Sequence, residues 1–123
     1  MVPAFDRPTE GSRVVKLYVD LTGKVIRVSR ESDEKRDENG KQKVERNTGR
    51  PMWTTQLFVQ DTDGGEVITV TTVGERPTMK IDTVVVPVGL EVIPWCQTKN
   101  GQHRSGIAYR ATELKPAAAV KAA

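Results

Sequence analysis

The sequence contains few of the residue types that catalysis and metal binding require. Cys96 is the single cysteine and His103 the single histidine among 123 residues, so no intrachain disulfide can form. This pair cannot supply the roughly four ligands of a zinc site, and no glycine-rich phosphate loop ending in Lys-Ser or Lys-Thr is present. We expect Cys96 to be packed and His103 to lie at the surface. The sequence therefore predicts a protein that is not an enzyme and uses no metal or other cofactor.

Long apolar runs and a strong net charge are also lacking. No run approaches the roughly 20 residues of a membrane-spanning helix, and residues 1–7 do not have the basic-then-apolar order of a signal peptide. We therefore predict a soluble protein of the cytoplasm, in line with the low cysteine content. The formal net charge of +3 permits nucleic-acid binding without requiring it.

The chain does contain a series of short segments with the side-chain alternation of β-strands. Apolar residues alternate with polar ones, and β-branched residues are frequent. The predicted strands occupy residues 13–28, 52–60, 66–73, 83–94 and 105–114. Thr22-Gly23 interrupts the first strand, which indicates a bulge or sharp bend, or alternatively a tight hairpin. Residues 61–65 (Asp-Thr-Asp-Gly-Gly) predict a hairpin turn, because glycine tolerates the positive φ that such turns need.

Composition divides the chain into one domain with two loose ends. We predict a flexible N-terminal arm over residues 1–12, one β-barrel domain over 13–116 and a disordered tail over 117–123. Residues 29–47 carry charges of both signs and one hydrophobic side chain, Val44, which predicts a long mobile loop. That loop either keeps the domain soluble or closes on a charged partner, and a short solvated helix within it is compatible with the pattern.

Five short strands in this order predict an all-β fold, a small five-stranded antiparallel Greek-key barrel of the OB-fold type, whose usual ligands are oligonucleotides and oligosaccharides. The helix that commonly separates the third and fourth strands has little room in residues 74–82. An SH3-like barrel is the main alternative. Pro87 cannot donate a hydrogen bond to a β-ladder, so we expect it at a sheet edge or a bulge.

Several motifs in the second half of the chain resemble those of a known family. They are Thr48-Gly49-x-Pro51-x-Trp53, the run from Glu66 to Val70, Val88-Gly89-Leu90 followed by Pro94-Trp95, and the closing run from Ser105 to Ala111. In these motifs, residues 49–116 resemble the small regulatory proteins of actinobacterial mobile elements that activate plasmid replication, integration and excision. The resemblance implies single-stranded DNA handling or activation of replication, and it does not extend to the charged loop.

Side-chain parity along the strands separates candidate ligand-binding aromatics from core residues. Phe58 has the opposite parity to Trp53, which places it on a polar strand face where a base can stack on it. Tyr18 shares a face with Lys16 and is a second candidate. Both rings are equally compatible with packing under a loop or a partner. Trp53 is expected in the core, whereas Trp95, at a strand end, either packs or contacts the ligand.

Basic side chains complete the predicted site by contacting phosphates. Residues 92–123 carry five basic side chains and one acidic side chain, whereas residues 52–91 carry two basic and six acidic ones. The predicted phosphate contacts are Lys16, Lys24, Arg27, Arg50, Lys99, Arg104 and Arg110. We expect several of them to converge on the face that carries Tyr18 and Phe58.

Together these features predict a single-stranded DNA-binding accessory protein for replication or transfer of a plasmid or mobile element. Binding is expected to be independent of sequence, through stacking aromatics and basic residues. The chief alternative is a regulator that activates a replication or recombination protein without binding DNA strongly. A duplex-binding transcription factor comes third, since no helix-turn-helix or zinc-finger pattern is present. Exposed valine-rich edges predict a homodimer or higher homo-oligomer.

Overall fold

The computed structural model describes residues 15–117, which form an all-β domain with no helical element. The strands are β1 (Leu17–Tyr18), β2 (Val25–Glu34), β3 (Met52–Asp61), β4 (Gly64–Val73), β5 (Val85–Val88), β6 (Glu91–Lys99), β7 (Gln102–Arg110) and β8 (Glu113–Pro116). No helix within these residues is long and apolar enough to cross a membrane. The predicted arm over 1–12 lies outside the described residues, as does the predicted tail after residue 117.

Six strands form one mixed sheet in the order β1-β6-β7-β4-β3-β2, and β5 pairs with β8 in a separate two-stranded sheet. The all-β prediction is confirmed, but the structure has eight strands instead of five, and the six-stranded sheet is not closed into a barrel. The antiparallel prediction fails at one pair. The long connection through β5 returns the chain so that β7 runs parallel to β4, and the two strands meet at Val70↔Tyr109 and Thr71↔Arg110.

The interrupted first segment reaches both edges of the sheet. Its two halves are separated by a turn at Gly23, where φ is 75°. Because β1 pairs with β6 and β2 pairs with β3, the two halves do not form a hairpin with each other. The bend that the sequence predicted is therefore present, and residues 19–24 connect the two opposite edge strands.

The β3–β4 hairpin and the core behind it follow the predicted alternation. Asp61 pairs with Gly64, and the Oδ1 atom of Asp61 accepts the backbone N–H of Asp63 at 2.8 Å, which closes the turn. The inward side chains of the sheet pack with those of β5 and β8. The buried apolar residues are Ile26, Val28, Leu57, Ile68, Val70, Val85, Leu90, Ala111 and Leu114.

The predicted charged loop is shorter than residues 29–47, because β2 continues to Glu34. Two register shifts bend the end of β2 so that Ser32 turns inward, where it is 3% exposed. Its hydroxyl lies 2.7 Å from that of Thr55, which is 1% exposed, so the two hydroxyls satisfy each other. A polar sequence can thus extend the strand without leaving a buried hydroxyl unpaired.

The rest of the predicted loop forms hydrogen-bonded turns instead of a helix. Asp37 accepts the backbone N–H groups of Asn39 and Lys41 through Oδ1, which closes the first turn. In the second turn, the N–H of Glu45 donates to the carbonyl of Arg50 at 2.8 Å. The loop is joined to the start of β3 by the N–H of Met52, which donates to the carbonyl of Lys43 at 2.9 Å.

The β6–β7 hairpin projects beyond the core as a two-stranded ribbon. Its turn consists of Asn100 (φ 55°) and Gly101 (φ 77°), and positive φ at both central residues is typical of the tight hairpin turns that match sheet twist. Residues 94–105 are all exposed. Pro87, in contrast, lies in β5, whose only strand partner in the described chain is β8, so the predicted edge position is confirmed.

Candidate nucleic-acid interface

The register of the sheet shows which side chains share its outward face. Residues directly opposite each other on paired strands point to the same side. Leu57 faces Val28 and Ile68 in the buried layer. The next residue, Phe58, therefore points outward together with Arg27, its partner on β2. The parity predicted for Phe58 is confirmed, and its ring is half-buried instead of sealed in the core.

The same outward face continues through the other half of the sheet. Thr71 on β4 lies beside Arg110 on β7, Arg110 lies opposite Glu91 on β6, and Glu91 lies opposite Tyr18 on β1. Tyr18 therefore has the predicted outward parity and is 60% exposed. Trp53 has the inward parity but is only half-buried, since its indole N–H donates to the carbonyl of Gly74 at 2.7 Å near the end of the sheet.

A cleft of about 870 Å³ lies where this face meets the 44–50 turn. Four of the predicted residues line it together: Lys16, Tyr18, Arg50 and Arg110. The turn contributes Arg46 and Glu45, and β6 contributes Glu91. The charged side chains of the lining are thus four cations and two carboxylates, which gives the cleft a positive balance.

Glu45 connects the turn to the floor of the cleft. Its carboxylate accepts hydrogen bonds from the Arg110 guanidinium and from the hydroxyl of Thr48, the latter at 2.8 Å. These bonds, led by that from Arg110, hold the pKa of the Glu45 carboxyl below its usual value. Glu45 therefore competes with any external anion for the Arg110 guanidinium.

Arg50 is positioned by a glycine at the mouth of the cleft. Gly74 has a φ of 107°, and a Cβ atom at this position would lie 2.1 Å from Nη2 of Arg50. The guanidinium thus lies directly against the backbone of Gly74, which only a glycine allows.

Lys35, which the predicted site did not include, lies next to Arg110. Its ammonium donates to the hydroxyl of Thr71 at 3.0 Å, and Thr71 is the β4 partner of Arg110. Burial lowers the pKa of Lys35, and the positive charges of Lys43 and Arg110 lower it further. The site thus contains cations from the charged loop, and the number of basic residues in that loop is the sequence signal that could have indicated them.

Two of the three candidate stacking rings, Phe58 and Trp95, lie over glycines. A Cβ atom at Gly65 would lie 2.2 Å from Cζ of Phe58, and one at Gly106 would lie 2.8 Å from Cζ2 of Trp95. Each ring thus covers the bare backbone of a glycine. Trp95 is 43% exposed, so it packs and remains accessible at once.

The remaining predicted contacts are not brought to the cleft. Lys24 forms an ion pair with Asp61 at 2.8 Å beside the β3–β4 turn. Arg27 lies opposite Phe58 on the outward face, away from the residues that line the cleft. Lys99 and Arg104 lie on the ribbon and point to the same side as Trp95.

A second cavity, of about 510 Å³, opens on the inward side of the sheet. Its walls are largely apolar and include Val59, Ile68 and Tyr109, and the Lys24–Asp61 pair lies at its rim. Both β4 and β7 contribute to its lining, and the two strands pair at only two residues.

The single histidine and the single cysteine both lie on the ribbon. Within residues 15–117, no three His, Cys, Asp or Glu side chains lie close enough to hold a metal ion. His103 is exposed, as predicted, and its Nδ1 lies 3.0 Å from the hydroxyl of Thr98. Cys96 is exposed and not packed, because it lies on the part of the ribbon that extends past the core.

Comparison of the chain with family models, curated proteins and solved structures finds no match. The resemblance to activators of actinobacterial mobile elements therefore remains a prediction.

Proposed function

We propose that this protein binds single-stranded DNA across the outward face of its six-stranded sheet, with the basic cleft as the central contact. The observation that carries the proposal is the cleft itself, where Lys16, Arg50 and Arg110 meet beside the exposed ring of Tyr18. Cations that follow the phosphates and rings that stack on the bases are the two devices of single-strand binding. Sequence-independent binding follows from this pairing, because every base offers a π-face.

The ribbon extends this interface beyond the cleft. Glu91 on β6 and Arg110 on β7 lie opposite each other at the base of the ribbon. Trp95 lies four residues further along β6 on the same face. At roughly 3.3 Å per residue, the ring is about 13 Å from the cleft, and Arg104 is about 20 Å from it. Residues 92–112 contain no acidic side chain, so a strand leaving the cleft along the ribbon meets no repulsive carboxylate from it. Such a path covers several nucleotides, within the range known for OB-folds.

An OB-like architecture, in which the six-stranded sheet stays open, also belongs to this proposal. Its support is the connection over residues 19–24, which joins the two opposite edges of the sheet. The cellular role, accessory to replication or transfer of a plasmid or mobile element in the cytoplasm, is supported by the motif resemblance alone.

A protein-interaction regulator is the second candidate, and the edges of the ribbon favour it. β1 pairs with β6 at Leu17↔Val92 and Tyr18↔Glu91, and β4 pairs with β7 at two residues. The ribbon beyond these pairs exposes backbone on both edges within the described chain, together with Trp95 and Ile107. Exposed edges invite pairing with another chain, so the same feature supports the proposed homodimer.

The deciding experiment is fluorescence polarisation with labelled oligo-dT at two or more salt concentrations. We expect salt-sensitive binding, with a log–log slope of about 0.7 for each phosphate contact. Arg50→Ala and Lys16→Ala should each weaken binding and reduce that slope by about one contact. Lys80→Ala is the matched control, because Lys80 is an exposed lysine that does not line the cleft.

Two outcomes would contradict the proposal. Weak oligo-dT binding that is unaffected by the cleft variants would favour the protein-interaction regulator, and analytical ultracentrifugation would then test the ribbon as its interface. Tighter binding to a duplex than to oligo-dT of the same length would favour the transcription-factor alternative instead.

A further inference from the structure

Three cations of the domain are held close together by the ladder between the charged loop and the sheet. The backbone N–H of Lys35 donates to the carbonyl of Met52 at 3.1 Å, and the N–H of Lys43 donates to the carbonyl of Lys35 at 2.6 Å. The Lys35 ammonium reaches the hydroxyl of Thr71, beside Arg110. Backbone pairing therefore brings Lys35 and Lys43 together, and the Lys35 side chain extends from there to Thr71, the strand partner of Arg110.

Lys35 has no anionic partner in this cluster. It is half-buried, and its side chain has one hydrogen bond, to a neutral hydroxyl. None of the ion pairs in the described residues involves it. A partly buried ammonium near two other cations is unfavourable unless an anion compensates its charge. The lowered pKa of Lys35 has the same physical cause.

Glu45 is the carboxylate that forms an ion pair with a cation of this cluster, Arg110. One oxygen of its carboxylate pairs with the Arg110 guanidinium, and the other accepts a hydrogen bond from the Thr48 hydroxyl. The turn that carries Glu45 is closed by backbone hydrogen bonds, from the N–H of Glu45 to Arg50 and from the N–H of Gly49 to Glu45, each at 2.8 Å. The side chain can therefore leave Arg110 without unfolding the turn.

The geometry points to a phosphate-binding subsite formed by Lys35, Lys43 and Arg110, in which the Glu45 carboxylate takes the place of the anion until a phosphate displaces it. A phosphate group offers several acceptor oxygens, which suits a guanidinium flanked by two ammonium groups. The inference rests on the proposed function for the source of the phosphate, which is the backbone of the bound strand. The subsite itself can be tested with inorganic phosphate alone.

The first arm of the test measures phosphate binding to the full chain. Thermal unfolding is followed with sodium phosphate and with sodium chloride at matched ionic strength, in wild type, Lys35→Met and the control Lys80→Met. We expect a saturable phosphate stabilisation in wild type and in the control, and its loss in Lys35→Met. A phosphate response that is equal in all three proteins overturns the subsite.

The second arm uses labelled oligo-dT with and without a 5′-phosphate. Glu45→Gln keeps the shape of the side chain but removes its charge, so it should tighten binding about two- to fivefold, the usual size of an exposed ion pair. Lys35→Met should lower the salt slope by about 0.7. A preference for the phosphorylated oligonucleotide assigns the subsite to a strand end, and equal binding assigns it to the backbone.

The two proposals can fail separately. If phosphate binds through Lys35 while oligo-dT does not bind at all, the subsite stands and the proposed function is wrong. If oligo-dT binds wild type, Lys35→Met and Glu45→Gln equally, with the same salt slope, the proposed function stands and the subsite is wrong.

Discussion

The indole of Trp95 lies across Gly106, its direct partner on β7, so closely that a Cβ atom at position 106 would come within 2.8 Å of the ring. The absence of a side chain at Gly106 thus allows the Trp95 ring to lie against the backbone of β7. We predict that Gly106→Ala displaces the ring toward solvent and shifts its fluorescence to longer wavelength. Ser105→Ala, on the opposite face of the same strand, should leave the spectrum unchanged.

Trp53 also contributes to the emission, so the two tryptophans must be separated. Trp95→Phe leaves Trp53 alone and supplies its reference spectrum. Should the difference spectrum of Trp95 be identical in wild type and Gly106→Ala, the ring does not depend on the glycine. Oligo-dT binding of Gly106→Ala should weaken in parallel with the shift, because a displaced ring stacks less well.

The neighbouring residues Leu57 and Phe58 provide a matched pair on opposite faces of β3. Leu57→Ala removes a fully buried side chain and is expected to cost about 2–5 kcal/mol of unfolding free energy. Phe58 is half-buried over Gly65, so Phe58→Ala should cost clearly less, about 1–2 kcal/mol. Under the proposed function, it should also weaken oligo-dT binding by about 1–3 kcal/mol.

Urea unfolding and fluorescence polarisation measure these two effects independently. A Phe58→Ala protein as unstable as Leu57→Ala would identify the ring as a core element. Unchanged binding by a well-folded Phe58→Ala protein would show that Phe58 is not part of the DNA interface, and the proposed interface would then depend on the cleft.

The parts of the fold that depend on neighbouring residues were predictable, and those that depend on distant pairing were not. Period-two alternation and an Asp-Gly turn suffice to predict β3, β4 and the outward parity of Phe58. The predicted strand over 83–94 instead divides at Gly89, where φ is 60°, into β5 and β6, which belong to different sheets. The parallel contact of β7 with β4 likewise has no local signal.

The candidate site divides in the same way. Tyr18 was predicted from its strand parity and Arg110 from its residue type, and the two residues line the same cleft. Lys35 and Lys43 were not predicted, because their positions depend on backbone hydrogen bonds that join residues 35–43 to Met52 within the chain. The polar continuation of β2 was missed for a related reason, since Ser32 is acceptable in the core only with Thr55 opposite it.

The buried hydroxyls of Ser32 and Thr55 form an interaction that a double-mutant cycle can isolate. Thr55→Val preserves shape but leaves the Ser32 hydroxyl without its partner in the core, at an expected cost of about 1–3 kcal/mol. Combining it with Ser32→Ala removes both polar groups and should recover much of that loss. Urea unfolding of the two single variants and the double variant gives the coupling energy. Strictly additive effects would mean that the hydroxyls do not depend on each other.

The ion pair between Lys24 and Asp61 predicts a specific dependence of stability on pH. The pKa of the Asp61 carboxyl is lowered, first by the hydrogen bond from Lys24 and then by the N–H of Asp63. Asp61 therefore adds stability above the usual aspartate pKa, and this is lost as the pH falls through the lowered value. Asp61 in turn raises the pKa of Lys24, so the contribution of Lys24 is complete below the usual lysine pKa and is lost as the pH rises through the raised value.

Asp61→Asn should accordingly lower the urea midpoint on the plateau between these limits, while its midpoint converges with that of wild type at the acidic end. Asp63→Asn is the matched comparison, because Asp63 is an exposed carboxylate in the same turn that acts on Lys24 through its charge alone and should have a smaller effect. The measurement is a series of urea unfolding curves from strongly acidic to strongly basic pH. A constant gap between Asp61→Asn and wild type down to the acidic limit would show that Asp61 acts through the neutral turn hydrogen bond and not through its charge, since only the charged form attracts Lys24.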